Sequence, residues 1–270
     1  MVKIGSIIPI RLASERLPGK ALIEVAGKPL VYHLLDRVFN SQYIQNKEDV
    51  IVCTTMEETD DKLVEVVQNY GASIYRGSTD DIIKRFYDVV KKFELDYILQ
   101  VDGDDILCAT EYMDLTMETL LKDNSLDIVT CDGLPLGIAS KSFTKNAMNR
   151  VFNYYQTNEN DTGFIYYFTK TGLCNQKIIQ PISDMHILDE ARLTLDYPVD
   201  LEVFTAIIQA LYHSQSEKIF GLEQIVEFLK KHPDIMNINA DLDEEYWQRT
   251  KDKAQLIYTD RCGIEQKIDI

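Results

Sequence analysis

KIGSIIPIRLASERLPGK (residues 3–20) joins a short apolar run directly to a polar loop, and this junction is the clearest indication of the fold. The run Lys3 to Ile10 is short and rich in Ile, which is typical of a strand that is buried on both faces. Further strand-like runs follow along the first half of the chain. They are VIVCT (50–54), SIYR (73–76), DYILQV (96–101) and DIVTC (127–131).

Amphipathic helical patterns separate these strands. The first covers residues 30–38, where Leu and Val recur at helical spacing. Further helices are predicted at residues 60–70, 79–93 and 109–123. Strands that alternate with helices predict an α/β fold, with a mostly parallel twisted sheet and helices on both faces. A ligand of such a sheet binds outside the carboxyl ends of the strands.

The alternation of strands and helices stops after Asp132. Residues 133–192 mix strand-like and helix-like pieces and are rich in Tyr and Phe, so an inserted mixed subregion is predicted. A strong helix is predicted at residues 198–212, and a helical C-terminal tail begins near Gly221. No linker rich in Gly, Ser or Pro interrupts the sequence, and a single domain of residues 1–270 is therefore predicted.

Composition and charge restrict the possible functions. Lys and Arg number 28 against 44 Asp and Glu, and the net charge of −16 repels the phosphates of a nucleic acid. No apolar run is long enough to span a bilayer, and the start of the sequence lacks a secretory pattern, so no membrane partner is expected. The five cysteines lack metal-ligand spacing, and reduced thiols favour a cytoplasmic protein.

The loop after the first strand concentrates positive charge in an acidic protein. It places Arg11, Arg16 and Lys20, with Ser14 and Gly19, just beyond the carboxyl end of the strand. Cations, a hydroxyl and exposed backbone N–H groups at this position suit a triphosphate. The loop has neither the Walker pattern nor the glycine spacing of a dinucleotide site. A surface loop whose charges are merely solvated is the alternative interpretation.

The same loop closely resembles the signature IPAR-x-x-S-x-RLPGKPL of the CMP-ulosonate synthetases, which include CMP-Kdo and CMP-acylneuraminate synthetases, and residues 27–38 continue the resemblance. Residues 76–93, 192–204 and 220–240 are similar to the spore-coat-polysaccharide-type cytidylyltransferases. The resemblance covers nearly the whole chain and is weakest between residues 133 and 189. It implies a Rossmann-like fold of the nucleotide-diphospho-sugar transferase type and a CTP-dependent cytidylyltransferase.

The resemblance implies a nucleotide site made mostly of cations and small residues. Arg11 and Lys20 match the residues that hold the nucleotide phosphates, and both are predicted to be catalytic together with Asp104. The full set of predicted nucleotide-binding residues is Arg11, Ser14, Arg16, Gly19, Lys20, Arg76, Arg85 and Asp104.

The resemblance also implies Mg²⁺ as the cofactor, with Asp104 and Asp196 as its ligands. Mg²⁺ prefers one or two carboxylates together with phosphate oxygens and water, and two aspartates fit this preference. Each aspartate follows a strand-like run, DYILQV (96–101) or RLTL (192–195), so both are expected at the same edge of the sheet as the loop. A solvated acidic turn is the alternative interpretation of residues 102–105.

The implied reaction transfers a cytidylyl group from CTP to an acidic sugar, a Kdo-like or sialic-like ulosonate, with release of pyrophosphate for surface polysaccharide biosynthesis. The chain reads DGDDI (102–106) where CMP-Kdo synthetases read QGDEP, and Tyr197 replaces a threonine, so the acceptor is left open. Acceptors that carry a sugar phosphate or a polyol phosphate are one alternative. A glycosyltransferase is another, because Asp102-Gly103-Asp104 is a D-x-D sequence. A non-catalytic nucleotide-binding protein is the third.

By this resemblance, residues 1–132 form a nucleotide-binding core, residues 133–192 an acceptor and dimerisation subregion, and residues 193–270 carry the second metal aspartate and the C-terminal helices. A homodimer is expected through residues 133–189, whose aromatic side chains supply apolar area for an interface. These aromatic residues are expected in the core or at the dimer contact more than around a sugar. Trp247 lies in a charged helical stretch and is expected to have a packing role.

Overall fold

The computed structural model describes residues 2–157, 160, 163–213, 219–253 and 255–269. In chain order the strands are β1 (Ile4–Pro9), β2 (Glu24–Val25), β3 (Lys28–Pro29), β4 (Val50–Thr55), β5 (Ser73–Gly77), β6 (Tyr97–Gln100), β7 (Ile128–Cys131), β8 (Lys141–Thr144), β9 (Gln176–Ile179), β10 (Gln255–Thr259) and β11 (Glu265–Asp269). The α-helices are α1 (Leu30–Phe39), α2 (Asp61–Tyr70), α3 (Ile82–Lys92), α4 (Thr110–Lys122), α5 (Lys145–Tyr154), α6 (Tyr166–Thr169), α7 (Pro198–Leu211), α8 (Leu222–Lys231), α9 (Pro233–Met236) and α10 (Asp243–Lys253).

Seven strands form one sheet in the order β5-β4-β1-β6-β8-β7-β9. Every neighbouring pair is parallel except the two pairs that include β8. Helices pack against both faces of this sheet, so the predicted α/β fold class is confirmed. Because β1 and β6 are parallel neighbours, the loops that follow them emerge side by side at one edge, where a ligand is expected.

Side chains of the central strands point alternately into two apolar layers. Ile8 and Val52 pack with α1, α2, α4, α7 and α8, whereas Ile7 and Ile51 pack with α3, α5 and α6. All four side chains are fully buried. A strand that is covered on both faces needs apolar residues at successive positions, and this requirement explains the continuous apolar runs in the sequence.

The helix boundaries show where local capping overrides the apolar pattern. Helix α3 begins at Ile82 rather than at Thr79, because the carboxylate of Asp81 accepts a hydrogen bond from the Lys84 backbone N–H at 2.9 Å and caps the helix. The other strands and helices predicted up to residue 131 agree closely with the structure. Among the described helices, none is long and apolar enough to cross a membrane.

The predicted mixed subregion, residues 133–192, is built into the sheet. Strand β8 lies between β6 and β7 and is antiparallel to both, and β9 extends the sheet at one end by pairing with β7. Helices α5 and α6 cover the same face of the sheet as α3. An antiparallel return inside a parallel sheet breaks the strand–helix rhythm, which explains the mixed pattern in the sequence.

The C-terminal tail differs from the all-helical prediction. Helices α8 to α10 form, but β10 and β11 then pair as an antiparallel hairpin. Leu256 and Tyr258 of β10 are buried in the layer that contains α3 and α5. The alternating pattern of QLIYT (255–259), followed by a turn with Gly263 at a φ of +81°, was the sequence signal for this hairpin.

The RLTL segment before Asp196 is extended but is not a strand of the sheet. It contributes an isolated bridge between Leu136 and Arg192. The backbone N–H of Leu195 donates a hydrogen bond to the carbonyl of Asp104 at 2.9 Å. This bond brings Asp196 to the carboxyl end of β6, so the predicted position is reached without the predicted strand.

Candidate active site

The cationic loop, residues 10–20, is folded by its own backbone hydrogen bonds. The N–H groups of Ser14 and Gly19 both donate to the carbonyl of Leu12, at 2.8 and 3.0 Å. Gly19 has a φ of +69°, a left-handed conformation that glycine adopts without steric cost. The turn brings Lys20, the first residue of a short 3-10 helix, to the carboxyl end of β6.

A buried aspartate that the sequence analysis did not single out anchors the start of this loop. The carboxylate of Asp60 accepts hydrogen bonds from the Leu12 N–H at 2.7 Å and from the hydroxyls of Thr54 and Thr55 at 2.7 and 2.5 Å. Burial acts to raise the pKa of Asp60, but these hydrogen bonds, led by Thr55, hold it below the ordinary value. The ionised carboxylate therefore ties the loop to the end of β4.

Lys20 is at the centre of the site. Its ammonium donates to the carboxylates of Asp104 at 3.4 Å and Asp196 at 3.2 Å, and also to the carbonyl of Leu195. Arg16 adds a second cation, with Nη2 at 2.7 Å from Oδ1 of Asp196. Two of the predicted loop cations and both predicted metal carboxylates thus meet at the carboxyl ends of β1 and β6.

The charges at this junction shift one another's pKa. Burial acts to lower the pKa of Lys20, but Asp104 and Asp196 raise it above the ordinary value. Burial acts to raise the pKa of Asp196, but Lys20 and Arg16 lower it. For Asp104, burial raises the pKa more than Lys20 lowers it, and the charges of Asp196 and Asp102 raise it further. Burial is thus the main cause of the raised pKa of Asp104.

A buried ion-pair network holds Asp196 in place. The fully buried guanidinium of Arg192 donates to Asp200 at 3.1 Å and to Asp196 at 3.4 Å. Asp200 accepts from the backbone N–H groups of Asp196 and Tyr197, both at 2.8 Å. The side-chain amide of Asn239 donates to Asp200 at 2.8 Å and to the Arg192 carbonyl at 3.1 Å. Buried charges persist only with such partners, so the network fixes the direction of the Asp196 carboxylate.

The other two aspartates of the acidic turn have different surroundings. Asp102 accepts a hydrogen bond from Gln100 at 2.8 Å and is paired with Lys141. Asp105 is buried, and its burial together with the neighbouring Asp104 charge raises its pKa well above the ordinary value. Asp104 is the carboxylate of this turn that faces the cationic loop.

Two cavities meet at this junction. The smaller cavity has a volume of about 270 Å³, and its lining includes Arg11, Ser14, Arg16, Lys20, Arg85 and Asp104. The larger cavity has a volume of about 800 Å³ and extends past the ends of β7 and β8 to α6 and α10. The polar residues that line both cavities are Arg16, Asp102, Asp104, Asp196 and Arg249. Asp104 and Asp196 therefore lie at the place where a ligand in one cavity would contact a ligand in the other.

The structure separates the two arginines predicted from residues 76–93. Arg85 is buried beside the smaller cavity, and its guanidinium donates to backbone carbonyls that include Ser78 at 2.9 Å. Arg76 donates to the carbonyl of Thr55 at 2.8 Å and pairs with Asp61 at 2.5 Å. It is not among the described residues that line either cavity, and its contacts support the β4–α2 connection, so its place at the nucleotide stays a prediction.

Some of the aromatic residues expected in the core or at the dimer contact also line the larger cavity. Phe164, Tyr167 and Phe168 are buried in the core as expected, and Phe164 and Tyr166 also lie in the cavity wall. Trp247 of α10 is also in this wall and is 44% exposed, and its ring packs edge-on against Tyr246; its predicted packing role stays a prediction. A charged helical stretch gave no indication that α10 folds back onto the site.

The carboxylate pair suits a divalent cation. Asp104 and Asp196 share one ammonium, so a positive charge already stands between them. Mg²⁺ takes one or two carboxylates together with phosphate oxygens and water, and these two aspartates would be its protein ligands. Among the described residues, no group of three or more His, Cys, Asp or Glu side chains could hold a metal ion. A nucleotide would therefore have to complete the coordination shell.

A family model described as cytidylyltransferase matches residues 6–219. The matched span contains the cationic loop, the acidic turn and Asp196, and it ends before α8. The chain belongs to the cytidylyltransferase family. It is accordingly a CTP-dependent nucleotidyltransferase, as the resemblance predicted.

The cytidylyltransferase is similar to several other proteins, to some of them over most of its length. It is 28% identical to an uncharacterised protein of Methanocaldococcus jannaschii, over 93% of this chain and 100% of that protein. It is 26% identical to the spore coat polysaccharide biosynthesis protein SpsF of Bacillus subtilis, over 84% of this chain and 94% of that protein. A 3-deoxy-manno-octulosonate cytidylyltransferase of Geobacter metallireducens is 33% identical over 48% of this chain and 49% of that protein. A solved cytidylyltransferase structure from Leptospira borgpetersenii gives a TM-score of 0.76 and 25% identity, and the match covers 87% of this chain and 97% of that one.

Replacing Asp60 by Asn tests the anchoring of the cationic loop. Asparagine keeps the shape of the side chain but removes the charge that accepts hydrogen bonds from Leu12, Thr54 and Thr55. Hydrogen bonds to a charged group contribute about 1.5–3 kcal/mol each, so Asp60→Asn should lower the free energy of unfolding at pH 7 by about 2–3 kcal/mol. Urea unfolding measures this difference.

The same pair of proteins should differ less in acid. Because the folded-state pKa of Asp60 is depressed, its stabilisation is complete above the ordinary carboxyl pKa and is lost as pH falls through the folded pKa. The difference in unfolding free energy should therefore shrink as pH is lowered. Glu58→Gln, at an exposed neighbouring position, is the control and should change stability little. A difference that stays constant down to low pH would contradict the charge-based anchor.

Proposed function

We propose that the cytidylyltransferase transfers the cytidylyl group of CTP to a hydroxyl of an acidic sugar, a Kdo-like or sialic-like ulosonate, with release of pyrophosphate. The observation that carries this proposal is the junction of the two cavities, where Lys20, Asp104 and Asp196 meet. The smaller cavity would take the nucleotide and the larger cavity the sugar. The reacting phosphate would then lie between them, beside the carboxylates.

The smaller cavity suits the phosphates of CTP. Arg11, Arg16 and Lys20 line it, although the chain as a whole carries a net charge of −16. Gly103 lets the acidic turn approach this loop closely, because a Cβ at that position would lie 2.3 Å from the carbonyl oxygen of Pro9. A triphosphate in the cavity would therefore contact cations on one side and the acidic turn on the other.

The relatives support an acidic sugar as the acceptor and surface polysaccharide biosynthesis as the pathway. The Bacillus subtilis relative is named for spore coat polysaccharide biosynthesis, and the Geobacter metallireducens relative for 3-deoxy-manno-octulosonate, which is an acidic sugar. All five cysteines of this chain are unpaired, which supports the cytoplasm as the place of the reaction. We further propose that the chain works as a single catalytic domain, since β8 and β9 join the same sheet as the nucleotide-binding strands.

In the proposed reaction, the sugar hydroxyl attacks the α-phosphorus of CTP. The new phosphorus–oxygen bond forms as the bond to pyrophosphate breaks, and the hydroxyl proton leaves to water. Mg²⁺, held by Asp104 and Asp196, would neutralise the charge that develops on the phosphates. Lys20 and Arg11 would bind phosphate oxygens, for which Lys20 exchanges its contacts with the carboxylates. Arg16 would keep the Asp196 carboxylate directed towards the junction.

Among the alternatives, a sugar phosphate or polyol phosphate fits the same geometry, because phosphate and carboxylate are both anions that the cavity cations would attract. A D-x-D glycosyltransferase fits less well, since the first aspartate of that sequence, Asp102, is engaged by Lys141 and Gln100. A non-catalytic nucleotide-binding protein would not require two carboxylates beside the nucleotide cavity.

Pyrophosphate release from CTP in the presence of acidic sugars tests the reaction and its metal. Asp104→Asn and Asp196→Asn keep the side-chain shape but each removes one charge from the metal site, so turnover should fall by orders of magnitude. EDTA should abolish activity, and added Mg²⁺ or Mn²⁺ should restore it. Circular dichroism should show that both variants keep their fold. Near-normal turnover in both variants, or no effect of EDTA, would rule out the two-aspartate site.

Lys20 and Arg11 should each be required for efficient use of CTP. A charge-assisted contact is worth about 1.5–3 kcal/mol, so Lys20→Ala and Arg11→Ala should each lower kcat/KM for CTP by at least about tenfold. Lys62→Ala is the matched control, because Lys62 is an exposed residue of α2 outside both cavities. Unchanged kinetics in both loop variants would show that the phosphates bind elsewhere.

We propose a homodimer through residues 133–189, and the strand at the end of the sheet supports it. Strand β9 pairs with β7 on one side, and its other edge is unpaired among the described strands. Exposed apolar side chains lie on β9 and just after it. They are Ile178, Ile182, Met185 and Ile187. An unpaired edge beside exposed apolar residues favours association with a second copy.

Light scattering should give about twice the chain mass of 31.1 kDa at micromolar concentration. Ile182→Glu places a charge in the exposed apolar patch and should shift the mass towards that of one chain. Ile264→Glu is the matched control, since Ile264 is equally exposed but lies in the β10–β11 turn. A wild-type mass of one chain would contradict the dimer, and a dimer that survives Ile182→Glu would place its interface elsewhere.

A further inference from the structure

Helix α10 lies beyond residues 6–219, which the family model matches, yet it packs on the active site. Its Arg249 is paired with Glu15 of the cationic loop, with 2.6 Å between Nη2 and Oε2. The ring of its Tyr246 lies under the buried guanidinium of Arg192, 4.9 Å from the ring centroid. The helix is thus held both to the loop and to the buried ion-pair network.

Trp247, the single tryptophan of the chain, is presented to the larger cavity by this attachment. Its ring meets the ring of Tyr246 edge-on, with 5.2 Å between centroids. Because Arg192 holds Tyr246, the neighbouring indole has a defined position although it is 44% exposed. Aromatic side chains in a cavity wall are typical of small-molecule sites, where they cover the apolar face of the ligand.

Arg249 provides positive charge at the boundary between the two cavities, since it lines both. Its partner Glu15 is 74% exposed, and water screens an ion pair of this kind, so another anion can compete for the guanidinium. Lys170 is exposed and lines the larger cavity as well, and it forms no ion pair with any described acidic residue. These cations make the cavity wall suitable for an anionic ligand.

We propose that α10 is a wall of the acceptor subsite, in which Trp247 covers the apolar face of a sugar ring and Arg249 exchanges Glu15 for the anionic group of that sugar. The inference rests on the proposed function and identifies the acceptor as a sugar with a carboxylate or a phosphate. Without an acceptor, the ion pair with Glu15 keeps Arg249 directed at the boundary between the two cavities.

Fluorescence of Trp247 reports directly on this subsite without requiring turnover. The protein is titrated with an ulosonate, a hexose phosphate and a neutral hexose, each with and without Mg²⁺ and a non-hydrolysable CTP analogue. A saturable change with an anionic sugar and none with the neutral hexose is the expected result. The ulosonate and hexose phosphate arms show which anion is bound. An indole signal that no sugar changes would overturn the proposal.

Three variants test whether Arg249 binds the anionic acceptor or only holds α10 to the loop through its ion pair with Glu15. Arg249→Gln should raise the KM for the anionic acceptor at least about tenfold, with little change in CTP affinity measured by calorimetry. Glu15→Gln removes the competing carboxylate and should leave the acceptor KM unchanged or lower it. Lys251→Gln removes an exposed charge from the same helix outside both cavities and should change neither constant. If Glu15→Gln and Arg249→Gln weaken the acceptor equally, their ion pair is only structural and the proposal is wrong.

The outcomes distinguish failure of this inference from failure of the proposed function. Turnover with an anionic sugar that Arg249→Gln and Trp247→Leu leave unaffected would overturn the α10 subsite and keep the reaction. A fluorescence change that Arg249→Gln weakens, without pyrophosphate release from any sugar tested, would support the subsite and overturn the reaction. Turnover with neutral sugars alone would overturn the anionic acceptor class.

Discussion

The bridge that the Lys20 ammonium makes between Asp104 and Asp196 is the interaction on which the rest of the site depends. Two unit charges about 4 Å apart at a protein surface interact by about 4 kcal/mol, so two carboxylates converge at a partly buried edge only with a cation between them. The turn at Gly19 and the anchor at Asp60 deliver that cation from the end of β1. The fold supplies the other half of the arrangement by placing β6 beside β1.

In the structure, the bridge occupies Lys20 with contacts to both carboxylates. In the free protein it neutralises the carboxylates, and with a metal nucleotide bound it would turn to the phosphates. Asp196 would keep its direction through this exchange, because Arg16 and Arg192 contact it independently of Lys20. Among the described residues, Lys20 is the cation that contacts Asp104, and burial raises the pKa of this carboxyl. The site thus has one carboxylate held by several groups and one held by Lys20.

Local sequence predicted those parts of the fold and site that depend on neighbours along the chain. Apolar runs predicted the strands. The sequence of the cationic loop showed its cluster of cations, and the family resemblance implied that they bind phosphates. The Asp60 anchor was missed because its partners come from β4 and the loop, and no local pattern distinguishes such a residue from a helix cap. The contacts of Arg76 were missed for the same reason, since only the folded chain shows that it supports the β4–α2 connection. Trp247 stands in a polar helix whose position is set entirely by tertiary contacts.

The contacts that hold the carboxylates differ in strength from the ion pair that holds α10 to the cationic loop. The carboxylates proposed to hold the metal lie beside the end of β6, and Asp196 is held by buried charges whose displacement would leave charges unpaired at a cost of several kcal/mol. Helix α10 meets the cationic loop through a solvent-exposed ion pair, a type that contributes about 0–1 kcal/mol and is readily replaced. The ion pair between α10 and the cationic loop is therefore weaker than the contacts that hold Asp196, although Tyr246 of α10 also reaches Arg192 of the buried network. A weak, exposed ion pair suits a contact that an anionic ligand would replace, whereas the contacts around Asp196 suit a carboxylate that keeps its direction.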